Sequence, residues 1–185
     1  GLAMAIAGCY FPIRFDAEIE ISRYGAYSMH FDGYLVDIQL YDGLRKEKFD
    51  EEEKEKRIAR IETDLTRDSS TKVYEYIKDG HFRVNWQKSG DILRSKMVSF
   101  VRRNENILSI LYVKKKGLIS VQATPIAKET AKRLINMGLD MQGQLRVKTD
   151  ARVASHNAHK ILKHPTTGQK IYVWDVKTAL EPSPK

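Results

Sequence analysis

Cysteine is almost missing from this chain: one occurs among 185 residues, so no disulfide closes within it and a thiolate zinc site has no ligand set. The eleven glycines stand singly. Neither G-x-x-x-x-G-K nor G-x-G-x-x-G is present, which removes the usual cradle for nucleotide phosphates. No G-x-S-x-G elbow positions a serine nucleophile, and no apolar run approaches the ~18 residues that a spanning helix needs. Proline is sparse as well, with five residues, and only the closing EPSPK reads as a proline-containing tail. No repeat and no long linker divides the sequence.

What is present is enough for a core. Apolar residues make up 42 %, with nine Tyr, six Phe and two Trp, and a chain of this length buries about 70 % of its unfolded surface. That excludes wholesale disorder. Charge is divided unevenly along the chain. Residues 1–93 carry 14 Lys/Arg against 18 Asp/Glu, a net of −4, and residues 94–185 carry 18 against 6, a net of +12, for +8 in all. The second half therefore offers an electropositive surface to an anionic partner.

Alternation with a period of two marks the strands. In RFDAEIEISRYGAYSMHFDGYLV, Phe15, Ala17, Ile19 and Ile21 face one way and Asp16, Glu18 and Glu20 the other, a pattern that predicts a hairpin turning at Tyr24-Gly25. The three acids read as the outer face of an edge strand, where charge discourages pairing with other chains. Gly33 marks a bulge or bend before LVDIQLYDGL, a segment open to strand or helix. DEEEKEKRIARIETDLTRD predicts a helix capped by Asp50, with acids in its first turn and Ile58, Ile61 and Leu65 as its inner stripe.

KVYEYIKDGHFRVNWQKSGDI predicts a second hairpin about Asp79-Gly80, with Phe82, Val84 and Trp86 facing inward. MVSFVRRNENILSILYVKKKGLISVQA supplies two or three further strands, of which ILSILYV is apolar on both faces and reads as central. Thr124 as N-cap, Pro125 at the first helical position and Gly138 past the end frame another helix, with Ile126, Thr130, Leu134 and Met137 facing inward. GQLRVKTDARVASHNA and QKIYVWDVKTAL close the fold. The expectation is α+β: a mostly antiparallel twisted sheet of about seven or eight strands, with two principal helices packed on it.

The first residues, GLAMAIAGCYFPIRF, carry no charge before Arg14. Ile6, Ala7, Gly8 and Cys9 fill the four places of the motif that ends a bacterial lipoprotein signal peptide, and the stretch resembles that family. The resemblance implies that residues 1–8 are the end of a signal peptide and that Cys9 is lipidated. Residues 9–185 would then form a single α+β domain, held to a membrane by acyl chains. Tyr10 directly after the cysteine implies the outer membrane, facing the periplasm.

The remaining candidates are few. Arg94, Lys96, Arg102, Arg103, Lys114, Lys115 and Lys116 bracket two adjacent strands and are the candidate anion-binding or partner-binding set, for lipid headgroups, lipopolysaccharide phosphates or an acidic envelope protein. His156, His159 and His164, with Asp150, have a helical metal-ligand spacing. Lys160 and Lys163 oppose a cation there, so the stretch reads as a surface loop with no metal, and no cofactor is expected. The sequence thus points to a non-enzymatic envelope lipoprotein, an accessory or assembly partner that engages an anionic or protein partner. The alternatives are a cytoplasmic basic domain for nucleic acid or an acidic protein, and a carrier of a lipid or other hydrophobic ligand in a cavity between helix 125–137 and the sheet.

Overall fold

The computed structural model describes residues 10–101 and 107–185. Along the chain run β1 (Tyr10–Ile21), β2 (Ala26–Asp37), α1 (Ile38–Arg45), α2 (Glu51–Thr66), β3 (Thr71–Lys78) and β4 (His81–Asp91). Then follow α3 (Ile92–Ser95), β5 (Met97–Phe100), β6 (Leu108–Val113), β7 (Leu118–Ala123), α4 (Lys128–Asn136), β8 (Gln142–Thr149), β9 (Lys160–Lys163) and β10 (Lys170–Val176). The class is α+β. Among the described residues ten strands form two sheets, rather than seven or eight in one: a seven-stranded sheet in the order β3-β4-β2-β1-β8-β10-β9, and a three-stranded sheet β5-β6-β7. Pairing is antiparallel except between β1 and β8.

The inner face of the large sheet carries Ile19, Phe31, Phe82 and Trp86, all buried. It is covered by Ile61 and Leu65 of α2 and by the small sheet through Val98, Phe100, Leu108 and Ile110. Phe100 is the joint: its ring lies 4.5 Å from Phe31 and 5.2 Å from Trp86. Segment 35–44 resolves its strand-or-helix ambiguity by being both. β2 runs to Asp37, whose carboxylate then accepts a hydrogen bond from Leu40 N (2.9 Å) and starts α1. Asp50 caps α2 in the same way, through Glu53 N (2.8 Å).

Four local expectations change. α4 begins at Lys128 after an N-cap at Ala127 that makes no side-chain hydrogen bond, not at Thr124-Pro125. Thr124 N instead donates to Ile107 O (3.2 Å), so the chain continues beside β6 for another turn's length before it can coil. The irregularity assigned to Gly33 lies across from it, on β1, where Pro12 pairs Leu35 and Arg14 pairs Tyr34, leaving Ile13 over. Gly33 and Gly143 flank Phe15 on the neighbouring strands, and a Cβ on either would run into Phe15 itself. Strand β9, four exposed residues, carries no periodic signal in the sequence.

The fourth change concerns the acids. β1 is central, not an edge, and its polar face is answered by β8: Arg146 binds Asp16 (2.8 Å) and Glu18 (3.2 Å), and Lys148 binds Glu18 (3.0 Å). Burial works to raise the Glu18 pKa, but the hydrogen bonds and charges of Lys148 and Arg146 together outweigh it and hold the carboxyl below its ordinary value.

Two outcomes follow from this packing. Phe100→Ala removes the ring shared by both sheets and should cost about 3–5 kcal/mol, read from urea unfolding midpoints. Because the folded Glu18 pKa is depressed, its contribution is complete above about pH 4.3 and fades as acid protonates it. Glu18→Gln should therefore lower stability at neutral pH and flatten its loss on acidification, measured as unfolding midpoints across a pH series.

Candidate functional site

The structure disperses most of the candidates drawn from the sequence. Ile6, Ala7, Gly8 and Cys9, and Arg102 and Arg103, lie outside the described residues. Asp150 and the three histidines fall on no helix: residues 150–159 are irregular. His156 Nδ1 accepts from Ala158 N (3.1 Å), His159 Nδ1 from Asp175 N (3.0 Å) and His164 Nδ1 from Thr167 N (3.2 Å), so each ring is engaged with nearby backbone. Among the described residues no group of three His, Cys, Asp or Glu side chains is placed to hold a metal. No helix among them is long and apolar enough to cross a membrane.

Arg94, Lys96 and Lys114 to Lys116 do come together, at one end of the small sheet. Lys96 O accepts from Tyr112 N (2.8 Å) and the Lys96 ammonium lies 5.1 Å from the Tyr112 ring. Lys114–Lys116 form the 3-10 turn joining β6 to β7, closed by Gly117 at φ 60°. All five are exposed.

A concavity among the described residues lies elsewhere, at the bulge. Ile13, left without a partner, inverts the alternation of β1. Phe15, Ala17, Ile19 and Ile21 therefore serve the main core. Phe11 and Ile13, of the same parity, join a second cluster with Val36, Ile38, Ala131 and Leu134. Between the two clusters lies an apolar cavity of about 320 Å³. The large sheet forms its floor through Phe15, Ala17, Phe31 and Leu145, β6 and β7 form one wall through Leu108 and Ala123, and α4 with its approach forms the roof through Ile126, Ala127, Thr130 and Leu134.

A strap of chain forms a further side of this partly open cavity. Pro182, Ser183 and Pro184 line the cavity, and Ala123 N donates to Pro184 O (3.0 Å). Asn157 clamps the strap: its Nδ2 donates to Ser183 O (2.9 Å), while its Oδ1 accepts from Lys185 N (2.9 Å) and from Trp174 Nε1 (2.9 Å). The sequence pattern gives Asn157 no role. Side-chain amides show no pattern until a second segment lies beside them.

One polar group in this lining stands out. Glu181 lines the cavity, and its Oε2 is shielded from solvent with no hydrogen-bond partner. The turn that carries it is fixed by Asp140, whose Oδ1 accepts from Thr178 Oγ1 (3.1 Å), Ala179 N (2.9 Å) and Met141 N (2.8 Å). A buried carboxylate oxygen left unbonded is costly, and the cost is recovered by a ligand that brings a donor or a positive charge. Nothing in the sequence separates Glu181 from the other acids of the chain.

At about 30 Å³ per methylene-sized group, the share of a water molecule in the liquid, the cavity holds roughly ten such groups. That suits one medium-length alkyl chain. Comparison with protein-family models, curated proteins and solved structures finds no match for this chain.

Proposed function

We propose that this protein is a non-enzymatic binding module of the bacterial cell envelope. In this reading it is tethered through Cys9 at the outer membrane, facing the periplasm, and holds one alkyl chain in the cavity beneath α4. The observation that carries the binding reading is the apolar cavity of about 320 Å³ lined on one side by Glu181, whose buried Oε2 has no hydrogen-bond partner. The placing at the envelope rests on Ile6-Ala7-Gly8-Cys9.

The cavity favours the hydrophobic-ligand alternative among the functions the sequence left open. Its lining supplies no nucleophile paired with a base, and its polar group is suited to recognition. The ligand is an amphiphile whose head donates a hydrogen bond or carries positive charge, such as an alkyl alcohol or amine. An anionic fatty acid would meet carboxylate with carboxylate. Ten buried methylenes at ~0.8 kcal/mol each, less the cost of association and chain ordering, set dissociation constants at roughly micromolar or weaker.

Displacement of an apolar fluorescent dye by decylamine, 1-decanol and decanoate tests this. The amine and the alcohol should bind about tenfold or more tightly than decanoate, Glu181→Gln should erase that order, and Thr130→Phe, which fills the cavity, should abolish all three. Absence of binding by any of them would exclude the carrier reading. Equal binding would keep the cavity and dismiss the role of Glu181.

The tether is tested separately, by the intact mass of the membrane-extracted protein expressed from its full gene. Cleavage before Cys9 with added acyl chains, lost in Cys9→Ala, is the expected result. An unmodified soluble species retaining residues 1–8 would remove the envelope assignment.

A further inference from the structure

We propose that the end of the molecule formed by α3, the start of β5 and the β6–β7 turn is a docking surface for an anionic lipid bilayer. Five cations meet there, Arg94, Lys96 and Lys114 to Lys116, all exposed, and among the described residues none of them enters an ion pair. Among the described residues Asp91 borders this end, and its Oδ1 is engaged in capping α3 through Leu93 N (2.9 Å).

Apolar side chains stand between these charges. Leu93, Met97, Leu111 and Leu118 are 38 %, 42 %, 38 % and 46 % exposed, although Val98, Phe100, Leu108 and Ile110 of the small sheet turn inward. Pairing places three of them in one strip on the outer face: Met97 lies opposite Leu111, Leu111 shares a face with Val113, and Val113 lies opposite Leu118. Tyr24, 76 % exposed, stands in the adjoining β1–β2 turn, where Gly25 abuts Leu93.

The combination selects the partner. Protein interfaces are enriched in Arg and depleted in Lys, whereas four of these five cations are lysines. Base stacking needs several exposed aromatic platforms among the charges, whereas among the described residues this end offers the exposed Tyr24 and the half-buried Tyr112 beside Lys96. Lysines around exposed Leu, Met and Tyr match an interfacial site, in which ammonium groups attract lipid phosphates and short apolar side chains enter the headgroup boundary. Tyr10 opens β1 at the end of that 12-residue strand away from the β1–β2 turn, so this surface is separate from the start of the described chain.

The test is sedimentation of the full chain carrying Cys9→Ala, so that no acyl chain contributes, with vesicles of phosphatidylcholine alone or mixed with phosphatidylglycerol. Partition onto the anionic vesicles only, weakening with salt, is expected. Lys114→Glu, Lys115→Glu and Lys116→Glu together should lower it about a hundredfold or more. Leu111→Ser with Leu118→Ser should lower it several-fold without changing its salt dependence. No partition at moderate salt, or partition that both sets of variants leave intact, overturns the proposal. So does capture by nucleic acid or an acidic protein in place of the vesicles.

Discussion

Phe100 closes against Phe31 and Trp86, and through that contact the small sheet covers the large one. A seven-stranded sheet with one apolar face cannot leave that face in water, and α2 alone is too narrow to hide it. The three-stranded sheet supplies the missing cover, and its position then fixes what each of its ends can do. One end borders the cavity through Leu108 and Ala123. The other projects the lysine turn.

The same requirement explains the second core. A strand with strict alternation would send every odd residue from Phe11 to Ile21 to one face. The unpaired Ile13 breaks that phase, so the first residues of β1 serve α4 and α1 while the remainder serve the main core. Two cores meeting at a bulge do not fill the space between them, and the cavity is that space. Phe15 stands at the junction between Gly33 and Gly143, which have no Cβ to displace it.

The two proposed sites thereby lie at opposite ends of β1. The cavity, with its unbonded Glu181 oxygen and the strap clamped by Asn157, collects around the beginning of β1. The basic and apolar tip lies by the turn at its far end. Carboxylates on the intervening polar face are matched by Arg146 and Lys148. The net positive charge of the second half is therefore partly consumed within the sheet, while Lys114 to Lys116 stay exposed at the turn.

The sequence by itself determined whatever depends on near neighbours. The period-two face of β1, the β3–β4 hairpin with Phe82, Val84 and Trp86 inward, the Asp50 cap of α2 and the α+β class all follow from spacing, because strand and helix geometry repeats over a few residues. It also suggested a hydrophobic cavity beneath helix 125–137, since that helix had an apolar stripe in search of a sheet. Tertiary structure alone decided the rest. The parallel pairing of β1 with β8 moved the three acids from an edge to the centre. The hydrogen bond from Thr124 to Ile107 delayed α4. The bulge opened the cavity, and the fold of residues 177–185 brought Glu181 and Asn157 to it. Each of these joins segments far apart in the chain, and such a juxtaposition is set by the packing of whole layers rather than by any local run of residues.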